Sequence, residues 1–165
     1  MVHALSDINV GDYVVVKTNG IAAKLIRLGT LSRWNHAAVV VSLGDDPVIV
    51  EARPTGVAMK NLSEYKTYAF NKHEDITDQE REAIVAFATE QIGKPYGFLD
   101  ILVLALRILG LRLPPVRLWE RLAKHQGFIC SELVAESYRK AGKTLLNKED
   151  CLVTPGDLAE RLIYQ

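Results

Sequence analysis

Hydrophobic positions change their period about halfway along this chain. Up to Asn71 they arrive as short β-branched runs bounded by Gly, Asp or Pro. The strong ones are "DYVVVKT" (Asp12 to Thr18), "HAAVVVSL" (His36 to Leu43) and "PVIVEAR" (Pro47 to Arg53). "GVAMKNL" and "KTYAFN" read as two weaker strands ending near Asn71. Between the first two strong runs, "GIAAKLIRLGTLSRWN" suits a short helix from Ile21 to Leu28 and then a loop. Beyond Asn71 the spacing turns helical. "TDQEREAIVAFATEQIG" opens with Thr77 and Glu80 in capping-box spacing and stops at Gly93, ahead of Pro95. In "GFICSELVAESYRKAG", Leu133, Val134, Tyr138 and Ala141 recur on one helical face and Gly142 supplies the stop.

A strand block followed by a helix block predicts an α+β fold, an antiparallel sheet packed against helices. With 165 residues the chain suits one domain, strand-rich over 1–71 and helix-rich over 76–165. Two further helical segments are expected, "FLDILVLALRILGLRLPP" (Phe98 to Pro115) and "VRLWERLAKHQG". The first is very apolar, but Arg107, Gly110 and Arg112 interrupt it. It falls short of the ~20 apolar residues that cross a bilayer. A buried core helix is the favoured reading, with peripheral membrane contact through 98–113 or a substrate-covering role as its rivals.

Charge and cysteine content narrow the classes. Twenty basic and 20 acidic residues balance, and no basic run marks a nucleic-acid surface. Two cysteines, Cys130 and Cys151, make no disulfide framework in a chain of this length. "MVHALSDINVGDYVVV" lacks the basic leader and apolar core of a signal peptide, so a cytoplasmic protein is expected.

Cys130 stands where its helix begins. Free cysteine is commonly a small buried hydrophobe. At a helix mouth, however, unpaired N–H groups and the positive end of the dipole favour a thiolate. A nucleophilic thiolate needs a base, and the base needs an orienting group. Of four histidines, His3 lies in the terminus, His73 in the polar loop "NKHEDIT" and His125 in "AKHQG" at a helix end. His36 is different, because it opens the apolar strand "HAAVVV" directly after "SRWN". Glu51 interrupts the otherwise apolar "PVIVEAR", and a buried carboxylate requires a partner.

Counting along the hairpin supplies that partner. "SLGDDPV" fits a two-residue type II′ turn with Gly44 and Asp45 at its tip, pairing Leu43 with Asp46. Ala38 then stands opposite Glu51, and His36 becomes a diagonal neighbour of Glu51, within roughly 7–8 Å at the backbone. An odd loop would put the two on opposite faces. The Cys130 helix is expected to set its N-terminus against the face they share. A zinc site is disfavoured, since the paired CxxC or HxxxH spacings are missing.

With these residues in place, the chain resembles the NlpC-type papain-like hydrolases, in their circularly permuted YiiX-like branch. The resemblance runs through "INVGDYVVV", "SRWNHAAVVV", "PVIVEARPTGV", "QIGKPYGF" and "GFICSELVAESYRKAG". The order here is His, acid, Cys, whereas the unpermuted family starts with its cysteine helix. "GKPYG" looks like the family's G-x-P-Y element, and "ICSEL" stands in place of its D-C-S-G-L motif. Ile129 and Glu132 depart from that motif; both departures fit the YiiX-like branch and weigh against a peptidoglycan substrate.

The resemblance implies a papain-like fold and gives each candidate a role. Cys130 would be the nucleophile, His36 the general base and Glu51 the polar group that fixes the imidazole. Tyr96 would lie beside the oxyanion site. The implied activity is a thiol-dependent hydrolase of amidase or peptidase type that needs neither metal nor organic cofactor. Its substrate class is open among peptides, amino-acid amides and lipid-linked amides or esters. The alternatives are a lipid-directed thiol acyltransferase or esterase, and a non-catalytic binding module on the same fold. The related lecithin:retinol acyltransferase-like branch also runs His before Cys, but its N-C-E-H-F motif is not what "ICSEL" spells.

Overall fold

β-Branched runs with no polar alternation belong to strands covered on both sides. That is how the first half of the chain folds in a computed structural model, which describes residues 8–71, 75–97 and 127–163. Strands β1 (Tyr13–Val16), β2 (His36–Ser42), β3 (Val48–Arg53), β4 (Gly56–Asn61) and β5 (Tyr68–Phe70) form one antiparallel sheet in the order β4-β3-β2-β1-β5. Helix α1 (Ile21–Gly29) links β1 to β2, and α2 (Asp78–Glu90), α3 (Cys130–Lys140) and α4 (Pro155–Ile163) follow the strands. The segments 98–115 and 116–126, with His3, His73 and His125, lie outside the described residues. Among the described residues no helix is long and apolar enough to cross a membrane.

Alternation along the strands sorts the core into two clusters. Val15, Ala37, Val39 and Val50 face the helices and pack with Ile84 of α2 and Leu133 of α3. Val14, Ala38, Val40 and Ile49 face the other way, where Leu62 and Phe70 close over them. His36 and Glu51 share parity with this second set. So α3 packs mainly on the opposite face from the one they occupy, which corrects the expectation from the hairpin count.

The hairpin turn also needs correcting. Val39 pairs with Val50 and Val40 with Ile49, but the next pair is Ser42 with Val48. The connection therefore spans residues 43–47, an odd number, and is not the two-residue Gly44-Asp45 turn. A bulge between Val40 and Ser42 absorbs the extra residue. Beyond the bulge the Val39–Val50 register, continued one step, sets Ala38 opposite Glu51. The odd loop and the bulge cancel, and the parity survives.

Caps and cross-links then place the helices. Thr77 and Glu80 form the capping box at α2, with Thr77 N–H donating to Glu80 Oε2 at 2.8 Å and Glu80 N–H to Thr77 Oγ1 at 3.3 Å. Helix α4 was not anticipated, although Thr154 and Asp157 repeat the device: Thr154 N–H donates to Asp157 Oδ2 at 2.7 Å and Asp157 N–H to Thr154 Oγ1 at 3.1 Å. The Tyr138 hydroxyl donates to Gly11 O at 2.8 Å and ties α3 to the entry of β1. After α2 the chain lies against β4: Gly93 N–H donates to Val57 O and Val57 N–H to Lys94 O, both at 2.9 Å.

Candidate active site

The start of β2 is held before it reaches His36. Asn35 is buried, and its Oδ1 accepts from Thr18 N–H at 3.0 Å and from Arg27 Nη1 at 2.9 Å. Arg27 Nη1 also donates to Thr18 O at 2.6 Å. These bonds join the end of β1, helix α1 and the loop into β2. A ring on the first residue of a strand fixed in this way has little freedom left.

His36 uses that position to meet both candidate partners. Its Nε2 lies 2.6 Å from Glu51 Oε2. The same ring and the backbone N–H groups of Ala37 and Ser131 lie near enough to the Cys130 sulfur to favour its charged form. Since Nε2 is taken by Glu51, Nδ1 is the atom left for the thiol. Although α3 packs on the other face, His36 sits at the strand's end, where its ring can reach the tip of the helix.

Helix α3 presents Cys130 as its first residue, with Ile129 as N-cap. Ile129 has no side-chain oxygen to satisfy the first-turn N–H groups, so these remain available to the sulfur. Glu132 instead reaches back to the N-cap backbone, accepting from Ile129 N–H at 3.4 Å. This gives a structural use to a residue that departs from the family motif.

Tyr96 joins through a short parallel bridge to Phe128. Phe128 N–H donates to Pro95 O at 3.3 Å, and Gly97 N–H to Phe128 O at 3.0 Å. Gly127 makes this approach possible. It sits at φ 111°, and a Cβ there would fall 1.7 Å from Pro95 O. "GKPYG" and "GFIC" are thus stitched together, with half-buried Tyr96 close enough to feel the charge on Cys130.

Burial and charge compete at the site. Burial alone would push the Cys130 thiol up. The His36 imidazolium, its hydrogen bond and the two backbone N–H groups outweigh it, and the thiol lies below its ordinary range. Burial would likewise pull the imidazole down, but the thiolate and the Glu51 carboxylate push it up to about 10. For Glu51, burial is overcome by His36, Tyr65 and Arg53, which hold the carboxyl below its usual value. Each partner thus favours the charged form of the other.

Two contacts of Glu51 escaped sequence reasoning. The Tyr65 hydroxyl donates to Oε2, the oxygen that also meets His36. Arg53 Nε lies 3.5 Å from Oε1, at ion-pair distance, yet no hydrogen bond among the described residues reaches that buried oxygen. Arg53 was findable, being two residues along the same strand and on the same face as Glu51. Tyr65 was not, because it reaches Glu51 only after the chain has turned through β4 and the 3₁₀ turn Leu62–Glu64.

Comparison with known proteins agrees with this architecture. A model of the family described as "Permuted papain-like amidase enzyme, YaeF/YiiX, C92 family" matches residues 7–101. This chain belongs to that family. The matched stretch includes His36, Glu51, Tyr65 and Tyr96 and ends before Cys130, so the cysteine's place in the site rests on the fold. Among solved structures, the chain is similar to one titled "Crystal structure of metalloprotein yiiX from Escherichia coli O157:H7, DUF1105". Identity is 20%, coverage is 84% of this chain and 69% of that one, and the TM-score is 0.61. At that identity the likeness is one of fold. No curated protein matches.

The word metalloprotein in that title belongs to that protein. Among the described residues here, no group of three or more His, Cys, Asp or Glu side chains is disposed to hold a metal ion. His36 Nε2 is taken up by Glu51 at 2.6 Å, so at most one ring nitrogen and the neighbouring Cys130 face the site. The described residues supply no three-ligand set for a metal.

Proposed function

We propose that this member of the amidase family is a thiol hydrolase working through Cys130, His36 and Glu51. The observation that carries the reading is one imidazole shared between a thiol at a helix mouth and a buried carboxylate. Cys130 thiolate attacks the carbonyl carbon of an amide, and the carbonyl electron pair moves to oxygen. N–H groups of the first turn of α3, with Tyr96, would hold that oxyanion. When the tetrahedral intermediate collapses, the His36 imidazolium gives its Nδ1 proton to the departing amine, leaving a thioester on Cys130. Water then loses a proton to the neutral imidazole and attacks the thioester, releasing a carboxylic acid and restoring the ion pair.

Glu51 acts on the imidazole, not on the substrate. It keeps a proton on Nε2 and favours the imidazolium that each half-reaction passes through. Tyr65 and Arg53 are positioning residues for that carboxylate. An amine or alcohol in place of water would convert the same thioester chemistry into acyl transfer. The substrate itself is a small molecule, a peptide or a lipid-linked amide.

The test is acylation by an activated ester such as p-nitrophenyl acetate, with the adduct mapped by mass spectrometry. An acyl group on Cys130, absent in a folded Cys130→Ala variant, is the expected result. If the folded wild-type chain acquired no adduct, or acquired it elsewhere, the hydrolase reading would be wrong.

A further inference from the structure

The turn that leads into His36 carries a charge and an apolar surface that the chemistry at Cys130 does not use. The chain as a whole is neutral, yet no acidic residue occurs between Asp12 and Asp45, while Lys17, Lys24, Arg27 and Arg33 all fall in that interval. Within it lie the two most exposed large apolar side chains among the described residues, Leu28 at 72% and Leu31 at 91%. Lys24 and Leu28 are one turn apart on α1 and share a face. Leu31 follows just past the C-cap, its N–H 3.4 Å from Leu28 O. Arg33 extends over the Trp34 ring at 4.8 Å from its centroid.

Leu31 is also the one non-glycine residue with positive φ among those described, at 50°. A leucine there is strained where Gly or Asn would be at ease. It gains almost no burial in return, so folding gives no reason for it. Nor is the turn loose: Ser32 N–H donates to Arg27 O at 3.1 Å and Thr30 N–H to Ile26 O at 2.9 Å. Arg27 is in turn bonded to Thr18 and Asn35, the residue before His36. The leucines are displayed by a braced turn.

We infer that the α1–β2 turn is a contact surface for an anionic membrane, inserting Leu28 and Leu31 among the acyl chains. Lys24 and Arg33 would meet the headgroups. Cations flanking protruding apolar side chains match the two layers of a lipid interface. A nucleic acid would have no use for the leucines. Contact here would hold the entrance to the His36 strand against the bilayer. The surface stands apart from the thiol chemistry and is testable without it.

The experiment is co-sedimentation of full-length Cys130→Ala protein with vesicles of phosphatidylcholine alone or of phosphatidylcholine with phosphatidylglycerol. Binding is expected to the phosphatidylglycerol vesicles and not to the neutral ones, and to weaken as salt is raised. Leu31→Asn should melt no lower than its parent, since Asn tolerates the left-handed region, and yet bind about tenfold more weakly when combined with Leu28→Ser. Lys24→Glu with Arg33→Glu should have a similar effect. Either of two results would overturn the inference: no binding of the parent protein to phosphatidylglycerol vesicles, or undiminished binding by the folded Leu28→Ser/Leu31→Asn protein. Neither bears on whether Cys130 is a nucleophile, which the acylation test decides separately.

Discussion

His36 gives Nε2 to Glu51 at 2.6 Å and so has only Nδ1 to offer the Cys130 sulfur. In the mechanism proposed above, the tautomer and the direction of proton flow follow from that division. A proton held on Nε2 by the carboxylate leaves Nδ1 as the atom that exchanges protons with sulfur and substrate. Reactivity at Cys130 should therefore depend on every group that keeps Glu51 charged and in place.

The most direct consequence concerns the two cysteines. Iodoacetamide should alkylate Cys130 much faster than Cys151 in the native protein at neutral pH, because Cys130 begins a helix and has His36 beside it to favour the thiolate. Cys151 lies within the 3₁₀ turn Asp150–Leu152. Peptide mapping after brief labelling measures both rates; equal rates would remove the activated-thiol argument.

Substitutions should reveal a hierarchy. Cys130→Ala and His36→Ala should each lower esterase kcat/KM by about 10⁴-fold, and the double variant should be no worse, since the two act as a unit. Glu51→Gln should lose less, on the order of 10²-fold. Its amide oxygen can still accept from His36 and Tyr65, while its NH₂ faces Arg53 and removes the counter-charge. A Glu51→Gln protein as inactive as Cys130→Ala, yet folded, would require a more direct role for the carboxylate.

Tyr65 makes a prediction in pH. Its hydroxyl stabilises the ionised form of Glu51, so Tyr65→Phe should raise the Glu51 pKa. Protonating the carboxylate weakens the support of the imidazolium and with it that of the Cys130 thiolate, which then takes up its proton at a higher pH. The acid limb of the Cys130 alkylation profile should accordingly move toward neutral pH in Tyr65→Phe. A role in packing alone would lower the melting temperature and leave the limb where it was, and superimposable profiles would show that.

The alkaline limb should belong to His36. With its pKa pushed up to about 10, the imidazolium persists above the usual imidazole range and is lost as pH rises through that value. Acylation that needs a proton for the leaving amine should fall there, whereas alkylation of the thiolate should not. Parallel profiles with an amide substrate and with iodoacetamide would separate the two; a common alkaline fall in both would contradict the assignment.

Gly127→Ala tests the bridge that brings Tyr96 to the site. A Cβ placed 1.7 Å from Pro95 O, on a residue at φ 111°, cannot be accommodated without parting Phe128 from Tyr96. The backbone strain alone is worth about 1–3 kcal/mol. Chemical denaturation should show at least that loss, with Cys130 alkylation slowed as the helix mouth shifts. A variant as stable and reactive as the parent would mean the close approach is not needed.

Local patterns sufficed for a large share of this protein, because the forces behind them act over a few residues. β-Branched runs announced three of the five strands and weaker runs the other two, Thr77 and Glu80 announced the start of α2, and Gly142 the end of α3. The permuted His–acid–Cys order was legible because "SRWNHAAVVV", "PVIVEAR" and "GFICSEL" each keep a recognisable local setting. Even α4 was within reach, had the Thr154–Asp157 spacing been weighed. Tertiary structure alone decided how those pieces meet. The hairpin parity came out of a bulge cancelling an odd loop, and strand pairing, not turn propensity, settles such a register. Helix α3 lies on the face opposite Ala38, and only the position of His36 at the very end of β2 lets its ring cross to Cys130. Tyr65 joins Glu51 from beyond another strand, a contact between residues 14 apart for which no local preference exists. Spacing along a chain reports what neighbours want; a buried carboxylate takes its hydrogen bonds from whatever the finished fold brings within reach.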